Sequence, residues 1–126
     1  MMISSSFQNL TVLVVEDDVF VREMIVDHLR ERACHVVEAA TGEAAMEALR
    51  MHDSLDGVFT DIRLGGRTDG WDVGEASRAT HPGIPVVYTS AATLLPERPV
   101  PGSVFIPKPY DPENVLGAIR KLHKDG

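Results

Sequence analysis

Four short, nearly unbroken apolar runs constrain the fold of this chain more than any other feature: Val12-Leu13-Val14-Val15, Val58-Phe59-Thr60, Val86-Val87-Tyr88 and Val104-Phe105-Ile106. A strand with one face in water alternates apolar and polar residues, whereas a strand covered on both faces reads as a continuous apolar run. Between the runs the period changes. Val21, Met24, Ile25, His28 and Leu29 recur at helical spacing. Such alternation predicts βα units wrapped around a parallel sheet.

Cap and turn chemistry marks the boundaries. A helix is expected from about Asp18, third in its acidic run and a capping side chain, to Glu31, then a second strand at Val36-Val37. His28, on the apolar side of that helix, is a packing or edge residue rather than a ligand. Thr41-Gly42-Glu43 opens the next helix, in which Ala44, Ala45, Ala48 and Leu49 are good helix formers with a narrow apolar stripe. Asp69-Gly70 caps a helix from about Trp71 to Thr80, which His81-Pro82-Gly83 stops. Further on, Asp111 supplies a capping side chain and Pro112 the first helical position, with Val115, Leu116, Ile119 and Leu122 as the buried face. Between Ser90 and Val104, Pro96, Pro99, Pro101 and Gly102 permit a turn or two of helix at most, so the fourth helix is shortened or irregular.

The 126 residues fit one domain, and 44% hydrophobic content suffices for a core. A formal net charge of -7 argues against a nucleic-acid surface, which needs clustered Lys and Arg. The basic group Arg120, Lys121, His123 and Lys124 ends a predicted helix, where it complements the helix dipole. Cys34 is a single cysteine in an apolar stretch, a small buried side chain rather than a redox group. No run approaches bilayer-spanning length and the N-terminus does not read as a signal peptide, so the expectation is a cytoplasmic protein with no membrane contact.

The chemistry gathers where the runs end. Glu16 and Asp17 follow the first, Asp61 the second, Thr89-Ser90 the third and Lys108 the fourth. In a parallel sheet all of these emerge at the carboxyl edge, where open α/β folds place their sites. Three crowded carboxylates repel one another and require positive charge, from a Lys or from a divalent cation.

Val-Val-Glu16-Asp17-Asp18, Asp61 followed by Asp69-Gly70, Thr89-Ser90-Ala91 and Lys108-Pro109-Tyr110, in this order and spacing, resemble the receiver domain of two-component response regulators over about residues 10–122. The resemblance implies a flavodoxin-like α/β fold, with a five-stranded parallel sheet of order 2-1-3-4-5 and helices on both faces. It also implies a single receiver domain over residues 1–126, with no output domain. Asp61 would be the phosphoacceptor, taking a phosphoryl group from a histidine kinase or a histidine phosphotransfer protein. Mg2+ would be held directly by Asp17 and Asp61, directly or through water by Glu16, and by the backbone carbonyl of Arg63. Lys108 would pair with one phosphoryl oxygen and Ser90 would donate to another. Ser90 is favoured over Thr89 because it immediately precedes a small residue, as the family's switch hydroxyl does. Phe105 occupies the place of the switch aromatic, and the Lys108-Pro109 bond would be cis. Such a protein catalyses only its own phosphorylation and dephosphorylation, and signals through protein contacts or serves as a phosphate sink.

Three features depart from the family pattern. The loop Arg63-Leu64-Gly65-Gly66-Arg67-Thr68 is one residue longer than usual and lacks the customary proline, which predicts greater mobility and a less firmly placed Arg63 carbonyl. Phe105 lacks a hydroxyl, so any inward swing would be driven by packing alone. The proline-rich segment removes the fourth-helix face through which DNA-binding regulators dimerise, which predicts a monomer. Two other classes stand beside this reading. One is a pseudo-receiver that binds partners without phosphorylation. The other is a small phosphohydrolase with Asp61 as nucleophile, although Arg63 stands where such an enzyme would want an Asp.

Overall fold

The computed structural model describes residues 9–91 and 97–125. The apolar runs form parallel strands β1 (Thr11–Val15), β3 (Gly57–Asp61), β4 (Val86–Ser90) and β5 (Val104–Pro107), and the Val36-Val37 pair lies within β2 (His35–Ala39). The sheet order is β2-β1-β3-β4-β5, as expected. Its helices are α1 (Val19–Glu31), α2 (Gly42–Met51), α3 (Gly70–Thr80) and α4 (Pro112–Asp125).

Successive strand residues serve two different cores, which is why the runs are unbroken. Leu13, Val15, Val58, Val86 and Tyr88 pack with Ala45, Ala48 and Leu49 of α2 and Trp71 and Val73 of α3. Val12, Val14, Phe59 and Val87 pack with Ile25, Val26 and Leu29 of α1 and Val115, Leu116 and Ile119 of α4. Cys34 is buried in this second core, and its thiol pKa is pushed up by burial. The helix starts follow the predicted caps. The Asp18 carboxylate accepts from the amides of Phe20 and Val21, Thr41 Oγ1 from Ala44, and Asp111 from Glu113. At α3, Asp69 and Asp72 each accept the other's amide hydrogen bond at 3.0 Å, closing a capping box. His28 is an edge residue as expected, its Nε2 2.7 Å from Glu113 Oε1 on α4.

Among the described residues no helix lies between β4 and β5. Residues 92–96, where part of the shortened fourth helix was expected, lie outside them. The segment from Arg98 to Pro101 is instead fastened to α3 and β4. Arg98 reaches Asp72 at 2.9 Å and Glu75 at 2.6 Å, Arg78 Nη1 donates to the Pro101 carbonyl at 2.6 Å, and the Val100 amide donates to the Tyr88 hydroxyl at 3.2 Å. No helix among the described residues is long and apolar enough to cross a membrane.

Candidate functional site

The strand register brings the predicted residues together. Val15 pairs with Thr60, Asp61 with Thr89, and Ser90 with Pro107, so the ends of β1, β3, β4 and β5 lie level at one edge of the sheet. Glu16 and Asp61 are buried there, at 1% and 6% exposure, while Asp17 is exposed. One carboxylate oxygen from each lies within 4.8 Å of the other two.

Lys108 joins this group from just beyond the end of β5, and its bond to Pro109 is cis. Its Nζ donates an aligned hydrogen bond to Asp61 Oδ2 at 2.8 Å, and lies 2.8 Å from Glu16 Oε1 as an ion pair without hydrogen-bond alignment. The other oxygens are used as well. Asp61 Oδ1 accepts from the Arg63 amide at 3.0 Å, and Glu16 Oε2 from the Asp18 amide at 3.1 Å. Burial pushes the Glu16 carboxyl above its ordinary range, against the pull of Lys108 and the Asp18 amide. Burial also works against the Lys108 ammonium, but Asp61 and Glu16 outweigh it and raise its pKa.

An octahedral Mg2+ shell with oxygens 2.0–2.1 Å from the ion has neighbouring oxygens about 2.9 Å apart and opposite ones about 4.2 Å apart. The oxygen trio is close to that size, and hard carboxylates are the right donors. Asp17 offers an exposed group. Glu16, with Lys108 at one oxygen and the Asp18 amide at the other, is better suited to reach an ion through water than directly.

The Arg63 loop has fixed anchor points despite its two glycines. The Thr68 amide donates to Glu43 Oε2 at 3.2 Å, and the Gly70 amide to the Ile62 carbonyl at 2.8 Å. Gly66 has φ +96°, a conformation that favours glycine. Gly70 has a further role beyond opening α3. A Cβ there would fall 2.2 Å from the Asp61 carbonyl oxygen, so the helix start presses directly on the backbone of the central aspartate. The only trace of this in sequence is a glycine at a first helical position where better helix formers exist.

Ser90 is buried at the end of β4, and its carbonyl accepts from the Lys108 amide at 3.0 Å. Thr89 is fully buried with no partner for its Oγ1. Phe105 is half-buried against the core that holds Trp71 and Tyr88. Tyr110 packs edge-on against Phe59 at 5.2 Å.

Residues 12–120 match the response regulator receiver domain family. The chain belongs to that family. It is 31% identical over 119 residues to a probable transcriptional regulatory protein, TcrX, of Mycobacterium tuberculosis (strain ATCC 25618 / H37Rv), covering 91% of this chain and 50% of that protein. It is also 31% identical over 111 residues to the response regulator receiver protein Anae109_2439 of Anaeromyxobacter sp. (strain Fw109-5), covering 88% and 44%. The receiver thus spans about half the length of these curated relatives. Among solved structures, a response regulator receiver protein from Sinorhizobium medicae WSM419 superposes with TM-score 0.87 at 29% identity, covering 92% of this chain and 95% of that one. The receiver domain of the sensor histidine kinase PA1611 from Pseudomonas aeruginosa PAO1, solved with magnesium in its active-site cleft, shares the fold with TM-score 0.79 at 20% identity, covering 92% and 98%.

Proposed function

We propose that this receiver accepts a phosphoryl group on Asp61 from a phosphohistidine of a histidine kinase or histidine phosphotransfer protein, with Mg2+ as cofactor. The observation that carries the reading is the bracketing of one buried carboxylate by a lysine 2.8 Å away and by two further carboxylates. That is a nucleophile beside charge-neutralising groups. An Asp61 oxygen attacks phosphorus, the new O–P bond replaces the N–P bond, and the imidazole leaves with the electron pair. Positioning and charge neutralisation account for nearly all of the catalysis in such a transfer.

Each neighbour then has work to do. The Arg63 amide orients Asp61, and Lys108 follows the growing negative charge from the carboxylate to a phosphoryl oxygen. Ser90, level with Asp61 at the sheet edge, donates to a second phosphoryl oxygen. Asp17, Asp61, Glu16 and the Arg63 carbonyl would hold Mg2+, which when bound neutralises phosphoryl charge. Phe105 and the segment from Arg98 to Pro101 form the surface that changes, and the signal passes by protein contact from a cytoplasmic monomer.

Incubation with acetyl phosphate and Mg2+ tests the reading. One acid-stable, base-labile phosphate per chain is expected in the wild type and none in Asp61→Asn. Equal labelling of both proteins would overturn the assignment. Binding of a partner kinase without any labelling would favour a pseudo-receiver.

A further inference from the structure

Arg22 stands in the first turn of α1, where the helix dipole disfavours a cation, and it touches the backbone of an acidic trio that would hold another cation. A guanidinium in that place calls for a compensating contact, and the structure supplies two. Nη1 donates to the Glu16 backbone carbonyl at 2.7 Å, and Nε donates to Glu38 Oε1 on β2 at 3.3 Å. Side chains tilt toward the N-terminus of their helix, so one in the first turn folds back over the chain that enters it. The planar fork makes both contacts at once and leaves the side chain only 17% exposed.

We infer that Arg22 is a positioning residue for Mg2+, holding the Glu16-Asp17 peptide so that the Asp17 carboxylate stays within reach of Glu16 and Asp61. The inference rests on the proposed metal role of the acidic trio. Asp17 is exposed, so the direction of its carboxylate follows from the backbone that carries it. Before Asp17, the Glu16 amide donates to the Ala39 carbonyl at 3.0 Å while the Glu16 carbonyl accepts from Arg22. After it, the Asp18 amide donates to Glu16 Oε2 at 3.1 Å, and the Asp18 carbonyl accepts from the Arg22 amide at 2.9 Å. Arg22 therefore grips the turn on both sides of Asp17, once by its side chain and once by its backbone. Only the side-chain grip depends on residue type. Glu38 steadies it from the neighbouring strand. A guanidinium that acted by charge alone would oppose Mg2+, so positioning and simple repulsion predict opposite signs when it is removed.

Titration of the intact chain with Mg2+ alone, followed by amide NMR at fixed salt and well below the melting transition, tests the inference. Arg22→Met keeps the aliphatic stem and removes the charge and both side-chain donors. Its Mg2+ affinity should weaken about tenfold, the low end for loss of an outer-shell contact at a metal site. A titration of folded protein reports the native site, so a lower melting temperature by itself leaves the dissociation constant unchanged. Arg30→Met is the control, because Arg30 carries the same charge and reaches the same Glu38 at 3.4 Å, but lies about 12 Å further along α1. Its affinity should stay within about twofold of the wild type in about 0.1 M salt, where charges more than about 10 Å apart are largely screened. Unchanged or tighter Mg2+ binding in Arg22→Met overturns the inference, as does an equal loss in Arg30→Met. If Mg2+ shifts none of the Glu16, Asp17 and Asp61 amides of the wild type, the metal reading itself fails, and this inference with it.

Discussion

Lys108→Met separates the electrostatic account of the site from one based on packing. Lys108 Nζ lies 2.8 Å from both Asp61 Oδ2 and Glu16 Oε1, and the side chains of those acids are only 7% and 2% exposed. At that distance one contact is worth a gross attraction of about 6 kcal/mol with an effective dielectric constant near 20, and desolvating each ion offsets several kcal/mol of it. Breaking a fully buried pair costs about 3–5 kcal/mol, and because Lys108 keeps 19% exposure the expected loss at pH 7.5 is about 2–4 kcal/mol. Met retains much of the aliphatic stem, so little of this loss is packing. The sign with pH is decisive. Glu16 already has a raised pKa, so the folded state binds more protons than the unfolded one and its contribution to stability falls as pH rises through the folded pKa. Without Lys108 that rise grows, and the penalty of the variant should shrink by about half between pH 7.5 and pH 5 as the Glu16 carboxyl protonates. Urea denaturation at the two pH values measures it. Equal penalties at both, or no penalty at pH 7.5, would refute the electrostatic account.

Asp17→Ala should raise the metal-free melting temperature by about 1–3 °C, by relieving repulsion in the acidic trio, and should abolish the upward shift that Mg2+ gives the wild type; thermal melts with and without Mg2+ check both. Gly70→Ala should cost about 1–3 kcal/mol by overpacking and slow labelling of Asp61, since the new Cβ would meet backbone that cannot swing aside. Gly117→Ala, where a Cβ meets nothing within 4 Å, should instead stabilise α4 by about 0.5–1 kcal/mol and leave labelling unchanged. Light scattering with and without beryllofluoride should give one unchanged monomer mass, and a dimer abolished by substitutions between Arg98 and Val104 would contradict it.

The sheet was legible in the sequence because both of its faces are buried, which makes each strand an unbroken apolar run and each strand end a sharp polar boundary. Local signals of this kind survive without tertiary information, and so did the caps at Asp18, Thr41, Asp69 and Asp111. What the runs and caps did not carry was the contact between particular atoms on different elements. The Glu16–Lys108 contact spans three strand boundaries, and the pressure of Gly70 on the Asp61 carbonyl arises only when α3 folds back over β3. The loop after Asp61 shows the same limit. Two glycines predict freedom, yet Glu43 of α2 anchors the Thr68 amide from an element that no local pattern connects to the loop.

Among the described residues no helix connects β4 to β5. Arg98 reaches from the segment before β5 to Asp72 and Glu75, and the same Asp72 closes the capping box with Asp69, eight residues beyond Asp61. Asp72 thereby links the Arg98 contacts to the cap that follows the Arg63 loop. Exposed ion pairs of this kind are individually weak and screened by salt. That makes them suited to yield before the buried core does.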